Sequence, residues 1–222
     1  MGRSQSFGMR NLDKLAANAA SEEVGLAASL PEDLRARLEI YATLLRKWQK
    51  TINLVAPSTL DHIWTRHFAD SLQIRDLLPQ AKRWVDLGSG GGFPGLVTAV
   101  ALAGQPDTIV HLIESDQRKC AFLREVTRET GVPAIIHCGR IETVATEFED
   151  EVDAVSARAL APLASLLSLA SPWLEKGAAG VFLKGAEAEK EMVEADCSAS
   201  YRCETYPSRT HPAARIILVR KF

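Results

Sequence analysis

The chain has 222 residues, enough for one α/β domain with an additional segment, and its 26 basic and 28 acidic residues nearly cancel. The balanced charge excludes a strong overall attraction to nucleic acid, so any RNA contact has to come from a local patch. There is no apolar run of about 18 residues and no apolar signal-peptide core, which excludes a membrane span and predicts a cytoplasmic protein. The cysteines lack the spacing of metal ligands, so we expect no metal site and reduced thiols at Cys120, Cys138, Cys197 and Cys203.

The first 80 residues contain no strand pattern. Residues 1–29 have no sustained apolar face, which predicts a flexible tail with a short helix over residues 11–20. Residues 30–80 are predicted to form a helical extension. Its first helix starts near Pro31, and apolar residues recur on one face at Leu34, Leu38, Tyr41, Leu45 and Trp48. Residues 53–57 break this pattern, and a second helical stretch runs from Ser58 toward Leu78.

A glycine-rich stretch follows the first predicted strand, which ends at Asp86-Leu87. It leads into an apolar helix over residues 96–103. Strand, glycine turn and helix in this order form the nucleotide-binding corner of a doubly wound sheet.

Two ligands fit this corner. Gly90, Gly92 and Gly95 satisfy the dinucleotide pattern G-x-G-x-x-G, with Glu114 about 20 residues further on. Asp86, Gly88, Gly90 and Gly92 instead satisfy D-x-G-x-G-x-G, the first motif of S-adenosylmethionine-dependent methyltransferases. Because an acid before the glycines repels a pyrophosphate but attracts a sulfonium or ammonium group, Asp86 favours S-adenosylmethionine over NAD.

The remaining chain alternates strands and helices, as a parallel sheet requires. Predicted strands cover residues 109–114, 134–138, 152–156 and 180–184, and predicted helices cover 117–130, 160–169 and 187–195. Residues 201–206 and 215–220 are two further strands without a helix between them, which predicts an antiparallel hairpin at the sheet edge. The predicted fold is the Rossmann-like α/β fold of class I methyltransferases over residues 81–222, packed with the extension over 30–80 as one unit.

Several blocks together resemble the RsmG (GidB) family of bacterial methyltransferases. They are Asn53-Leu54, the segment HFADSL at 67–72, DLGSGGGFPG at 86–95, Lys119 with Phe122-Leu123, GRIE at 139–142, SARA at 156–159 and LKG at 183–185. Glu114 stands where the family often has Asp, and the tail is unmatched. The resemblance implies an enzyme that methylates N7 of a guanine in 16S ribosomal RNA, acting on that RNA or on the small ribosomal subunit. Separately, we expect the protein to be a monomer.

The predicted cofactor contacts follow the strand ends, where doubly wound sheets bind ligands. Asp86 and the three glycines at 88, 90 and 92 would hold S-adenosylmethionine, and Glu114 would accept hydrogen bonds from its ribose. Phe93 is as consistent with a core residue as with a cofactor contact. The resemblance adds Ile141 and Glu142 beside the adenine and Arg158 at the mouth of the site.

Candidates for RNA contact are basic residues and one histidine. They are Arg46, Lys47, Lys50, Arg66, His67, Arg158, Lys184 and Arg209. A solvated helix face explains Arg46, Lys47 and Lys50 equally well, and His67 fits a satisfied core histidine better than a catalyst.

We expect this site to catalyse the reaction mainly by aligning the cofactor with the base that is methylated. Guanine N7 has an exposed lone pair and no proton, so no general base is required and no catalytic residue is singled out. Three other functions stay open at this point: a methyltransferase acting on a small molecule, a non-catalytic RNA-binding protein that keeps the fold, and an NAD-dependent enzyme.

Overall fold

A computed structural model describes residues 22–195 and 200–222. The predicted helix over residues 11–20 lies outside the described residues. Residues 22–29, which the sequence assigned to the flexible tail, are helical (α1), and Leu26 and Ala27 pack against the core. The helical extension therefore includes residues N-terminal to position 30.

The extension continues with helices that carry apolar residues on one face. Helix α2 spans Glu32–Trp48, directly after Pro31, and buries Leu38, Tyr41 and Leu45 as the periodicity predicts. The second helical stretch is divided into a 3₁₀ turn at Pro57–His62, a π-helical turn at Trp64–Phe68, α3 at Ala69–Leu72 and α4 at Ile74–Leu77.

The other elements alternate along the chain. The strands are β1 Arg83–Leu87, β2 Ile109–Glu114, β3 Ala134–Cys138, β4 Ala154–Arg158, β5 Ala179–Lys184, β6 Tyr201–Pro207 and β7 Arg215–Lys221. The helices are α5 Gly95–Leu102, α6 Gln117–Thr130, α7 Ile141–Thr146, α8 Leu163–Leu174 and α9 Ala188–Glu194. Helix α7 was not predicted from the sequence.

The seven strands form one sheet in the order β3-β2-β1-β4-β5-β7-β6. Strands β1 to β5 are parallel, whereas β7 pairs antiparallel with both β5 and β6. The predicted parallel sheet and terminal hairpin are confirmed. Strand β7, which follows β6 along the chain, lies inside the sheet, and β6 forms the edge opposite to β3.

Both faces of the sheet are covered, so strand residues alternate between two cores. Trp84 of β1 packs on one face with the extension, α5 and α6, and Val85 packs on the other face with α8. The extension thus shares a hydrophobic core with the sheet. Among the described residues, no helix has both the length and the apolar character needed to cross a membrane.

Candidate active site

A cavity of about 460 Å³ opens at the carboxyl ends of β1, β2, β3 and β4. Ligands of doubly wound sheets bind in this crevice. The sequence-predicted residues that line it are Gly88, Gly90, Phe93, Glu114, Ile141, Glu142 and Arg158. The structure therefore brings together residues from four loops that are distant in sequence.

Glu114 connects β2 to the glycine loop. Its side chain accepts hydrogen bonds from the main-chain N–H of Gly90 and of Asp116, both at 2.8 Å. The carboxylate is 8% exposed and lies at the cavity wall. Each oxygen retains a lone pair, so Glu114 can position the loop and still accept a hydrogen bond from a ligand hydroxyl.

The glycines of the loop have different surroundings. Gly90 has φ +56°, and a Cβ there would meet only the oxygen of Gly88 at 3.8 Å, which leaves open space above it. A Cβ on Gly92 would approach Leu96 Cβ to 2.9 Å and would overlap the Tyr41 hydroxyl, and Gly92 does not line the cavity. Gly90 thus leaves room for a ligand, whereas Gly92 is required by the packing of α2 against the loop.

Asp86 lies behind the cavity and does not line it. It is fully buried, accepts a hydrogen bond from the Ser156 hydroxyl at 2.7 Å and packs against the Cα of Gly95. Burial raises its pKa to about 6. The predicted direct contact with the cofactor is therefore replaced by a structural contact between β1, β4 and the start of α5. Any effect of its charge on a bound cation acts through the loop.

Arg158 is held in place at the mouth of the cavity by three side chains. Its Nη2 donates to Nδ1 of His67 at 2.9 Å, its Nη1 lies 3.4 Å from Asp70, and its guanidinium carbon lies 4.8 Å from the centre of the Phe93 ring. Burial lowers the pKa of Arg158. A guanidinium keeps its proton under these conditions, so the mouth of the cavity carries a fixed positive charge.

His67 is neutral in this cluster, and its tautomer follows from its partners. Arginine can only donate, so Nδ1 accepts from Arg158, and the proton resides on Nε2, which donates to the Thr59 hydroxyl at 2.8 Å. Burial, followed by the charges of Arg158 and Arg66, lowers the pKa of His67 to about 3. Both ring nitrogens are thus satisfied, in agreement with the interpretation of His67 as a core residue.

Lys184 does not face solvent as a phosphate contact would. Its side chain is 8% exposed, donates to the main-chain oxygen of Ala161 at 2.6 Å and pairs with Glu191 at 2.6 Å. The end of β5 lies beneath the loop after β4, which covers the ammonium group. The ammonium group of Lys184 is therefore engaged within the protein, and a contact with phosphate would require it to leave Glu191.

The other basic candidates are distributed over the surface. Arg46, Lys47, Lys50 and Arg66 are exposed. Lys47 pairs with Glu125 at 3.2 Å, and Arg209 pairs with Asp76 at 2.5 Å. Arg66 is close to the site, since its main-chain oxygen lies 3.5 Å from Nη1 of Arg158.

Sequence reasoning missed several residues of the site. Lys119, Arg140 and Leu54 line the cavity, as do Ala159 and Leu160 after β4. Ala159 has φ +52°, a conformation that residues other than glycine adopt mainly at turns and functional sites. Tyr41 donates a hydrogen bond to the main-chain oxygen of Gly91. Leu54, Lys119, Arg140 and Ala159 lie in blocks that carried the family resemblance. The periodicity of the first helix predicted that Tyr41 is buried, but not that it contacts the glycine loop.

Comparison with solved structures defines the class of the fold. An O-methyltransferase from Streptomyces achromogenes involved in tomaymycin synthesis, solved with SAM, has a TM-score of 0.60 at 16% identity, covering 91% of this chain and 96% of that chain. An rRNA methylase from Streptococcus thermophilus has a TM-score of 0.52 at 14% identity, covering 68% and 95%. The fold is that of the Rossmann-like methyltransferases.

Sequence comparison is more specific. Residues 34–211 match the family described as rRNA small subunit methyltransferase G. Ribosomal RNA small subunit methyltransferase G of a Bradyrhizobium species is 47% identical over 202 residues, which cover 90% of this chain and 91% of the relative. The protein of that name from Parvibaculum lavamentivorans is 47% identical over 201 residues, covering 90% and 88%. The chain belongs to the rRNA small subunit methyltransferase G family, and these relatives do not favour a small-molecule methyltransferase.

Proposed function

We propose that the protein is an S-adenosylmethionine-dependent methyltransferase that methylates N7 of a guanine in the RNA of the small ribosomal subunit. The observation that carries this proposal is the family relationship at 47% identity, which spans the extension, the glycine loop and the strand ends that line the cavity. The name of the relatives supports the substrate class, and the resemblance of the site motifs supports the choice of N7.

The residues around the cavity fit this cofactor. Gly90 leaves its surface open, Glu114 can accept from a ribose hydroxyl, and Ile141 and Glu142 line the part of the cavity that follows β3. Lys119, Glu142 and Arg140 supply charges of both signs at the wall. These charges can pair with the carboxylate and the ammonium of the amino acid group of the cofactor.

The reaction requires alignment more than proton transfer. Bound S-adenosylmethionine supplies an electrophilic methyl group: as N7 forms a bond to this carbon, the carbon–sulfur bond breaks, its electron pair stays on sulfur and the positive charge passes to the base. Glu114 and the glycine loop hold one reactant. Arg158, fixed by His67 and Asp70, lies at the mouth through which the other must approach.

The proposal is tested by methyl transfer from labelled S-adenosylmethionine. Stripped small ribosomal subunits, free ribosomal RNA and a small-molecule panel are offered in parallel, and the product is mapped by chemical cleavage at 7-methylguanine. We expect label in one guanine of the RNA, either free or in the subunit. Label only in small molecules, or at another RNA atom, would overturn the assignment. We also propose that the protein acts as a monomer in the cytoplasm.

A further inference from the structure

A second cavity of about 460 Å³ lies beside the first and shares Arg158, Ala159 and Leu160 with it. Its other walls come from Asp70, from the loop Ala161-Pro162, from the end of β5 and from Glu191 of α9. We propose that this cavity takes the guanine that is methylated, and that Glu191 recognises the N1–H and N2–H groups of the base. This inference rests on the proposed function and adds the site and the recognition chemistry.

The position of the cavity follows from the path of the methyl group. The group must pass from the first cavity to the base, and the shared wall at residues 158–160 is where the two spaces meet. The Leu160 side chain lies against Gly88, within 2.6 Å of the point where a Cβ would stand. The left-handed Ala159 precedes it. N7 of a base in the second cavity therefore has to face this wall.

The walls of the second cavity suit a base that is flipped out of the RNA base stack. Leu160, Pro162 and Leu183 are apolar, and a flipped base is usually held between apolar or aromatic side chains. The volume falls within the range of ordinary ligand pockets. Arg215 is also at the wall, where its Nη1 donates to the main-chain oxygens of Pro212 and Ala214 and its Nε lies 3.8 Å from Glu189. Its Nη2 remains for the phosphate that enters with the nucleotide.

The chemistry of Glu191 selects guanine. Its Oε2 is occupied by Lys184 at 2.6 Å and by the main-chain N–H of Leu163 at 2.7 Å, which fixes the carboxylate at the cavity wall. Its Oε1 accepts no hydrogen bond from the parts of the chain that the structure describes. Guanine carries N7 on one edge and two adjacent donors, N1–H and N2–H, on the other. A base with N7 toward the shared wall presents those donors to the far side, where Oε1 of Glu191, with its two lone pairs, can accept hydrogen bonds from them.

The test compares guanine with inosine, which lacks the N2 amino group, at the modified position of reconstituted subunits or RNA. The wild-type enzyme is expected to show a kcat/KM for inosine that is lower by roughly tenfold to a hundredfold, the loss of one charge-assisted hydrogen bond. In Glu191→Gln the activity on guanine should fall and the ratio between the two substrates should approach one. Glu194→Gln, on the exposed side of the same helix, is the control and should keep the wild-type ratio.

A second variant does not depend on the carboxylate. Gly185 lines the cavity, and a Cβ there would meet no atom within 4 Å, so Gly185→Leu is expected to fold and to fill the space. It should raise KM for RNA and leave the Kd for S-adenosylmethionine unchanged. The base site would be overturned if a folded Glu191→Gln variant kept the wild-type ratio between guanine and inosine and Gly185→Leu kept a normal KM for RNA. That outcome would leave the proposed function intact. Absence of RNA methylation by the wild type would overturn both.

Discussion

Gly90 and Gly92 are two residues apart, but a side chain meets different surroundings at each. We expect Gly90→Ala to weaken S-adenosylmethionine binding at least tenfold, because its Cβ projects into open space above the loop. Its left-handed φ should cost about 1–2 kcal/mol of stability. Gly92→Ala should cost about 3 kcal/mol, since a Cβ there overlaps the Tyr41 hydroxyl and crowds Leu96.

Calorimetric titration with the cofactor and denaturant unfolding of the same samples separate the two effects. We expect Gly90→Ala to lose mainly affinity for the cofactor and Gly92→Ala to lose mainly stability. Equal affinity of Gly90→Ala and the wild type would place the ligand elsewhere.

The neutral state of His67 should make stability depend on pH. Its folded pKa of about 3 lies below the unfolded value near 6.5, so only the unfolded chain binds the proton between these limits. The contribution of His67 is therefore complete above pH 6.5 and is lost as pH falls toward 3, by about 1.4 kcal/mol per pH unit. Asp86, with its pKa raised to about 6, acts in the opposite direction over part of this range.

His67→Asn isolates the histidine, because the amide oxygen can still accept from Arg158 and does not titrate. We expect the free energy of unfolding of the wild type to fall more steeply than that of His67→Asn between pH 6.5 and 4.5, with the Asp86 effect cancelling in the difference. Parallel curves in urea titrations would show that His67 has the same pKa in the folded and the unfolded protein.

For single residues, the sequence predicted where a residue lies in the fold better than it predicted which other residues that residue contacts. Gly90, Glu114 and Arg158 follow strands, and the geometry of a parallel sheet alone places them at one edge. Asp86 and Gly92 lie in the same motif, but their surroundings come from Ser156 and Tyr41, which are distant in sequence. Motif spacing contains no information on such tertiary partners.

Among the elements, α1 has an unexpected structural role. The carboxylate of Glu23 accepts from the main-chain N–H of Trp64 at 2.8 Å and of Thr65 at 2.9 Å, at the start of the π-helical turn. Glu23→Ala should lower the free energy of unfolding by about 1–3 kcal/mol, because one buried and one partly buried donor lose their acceptor. It should also speed amide hydrogen exchange at Trp64 and Thr65.

The neighbouring residue is a matched control. Glu22 is exposed, and Glu22→Ala should change neither quantity. Similar losses in both variants would mean that α1 stabilises the protein through its helix alone and not through this cap.

The bounds of β2, α6 and β3 agree with the sequence prediction because local signals mark them. Helix α6 begins after Asp116, whose side chain accepts from the N–H of Arg118 and Lys119, and ends at Gly131 with φ +60°. Helix α8 begins at Leu163 and not at residue 160, since Pro162 disfavours a helical conformation in the residue before it. The six residues of α7 are too few for a periodic pattern, so the sequence did not reveal this helix.

For the whole molecule, the net charge of −2 makes RNA binding depend on local charge. On the outer face of α2 and just beyond it, Arg46 and Lys50 are exposed, whereas Lys47 is already paired with Glu125. If this face contacts phosphates, neutralising Arg46 and Lys50 to Ala should lower the slope of log affinity against log salt by roughly 0.7–0.9 for each residue. Lys47→Ala should have a smaller effect.

Binding of labelled ribosomal RNA over a range of salt concentrations measures these slopes, and calorimetry verifies unchanged cofactor affinity. An unaltered slope in the Arg46 and Lys50 double variant would identify this face as solvated surface. The exposed Arg66 near the cavity mouth and Arg140 in its wall would then be the next pair to neutralise.

The position of β7 inside the sheet sets a limit on when the protein can fold during its synthesis. Residues 215–221 provide the only described strand that connects β5 to β6, and they are translated after both of those strands. While they remain in the ribosome, β5 has an unpaired edge and the wall of the second cavity that includes Ala214 and Arg215 is incomplete. The finished site can therefore form only after residues 215–221 have left the exit tunnel of the ribosome.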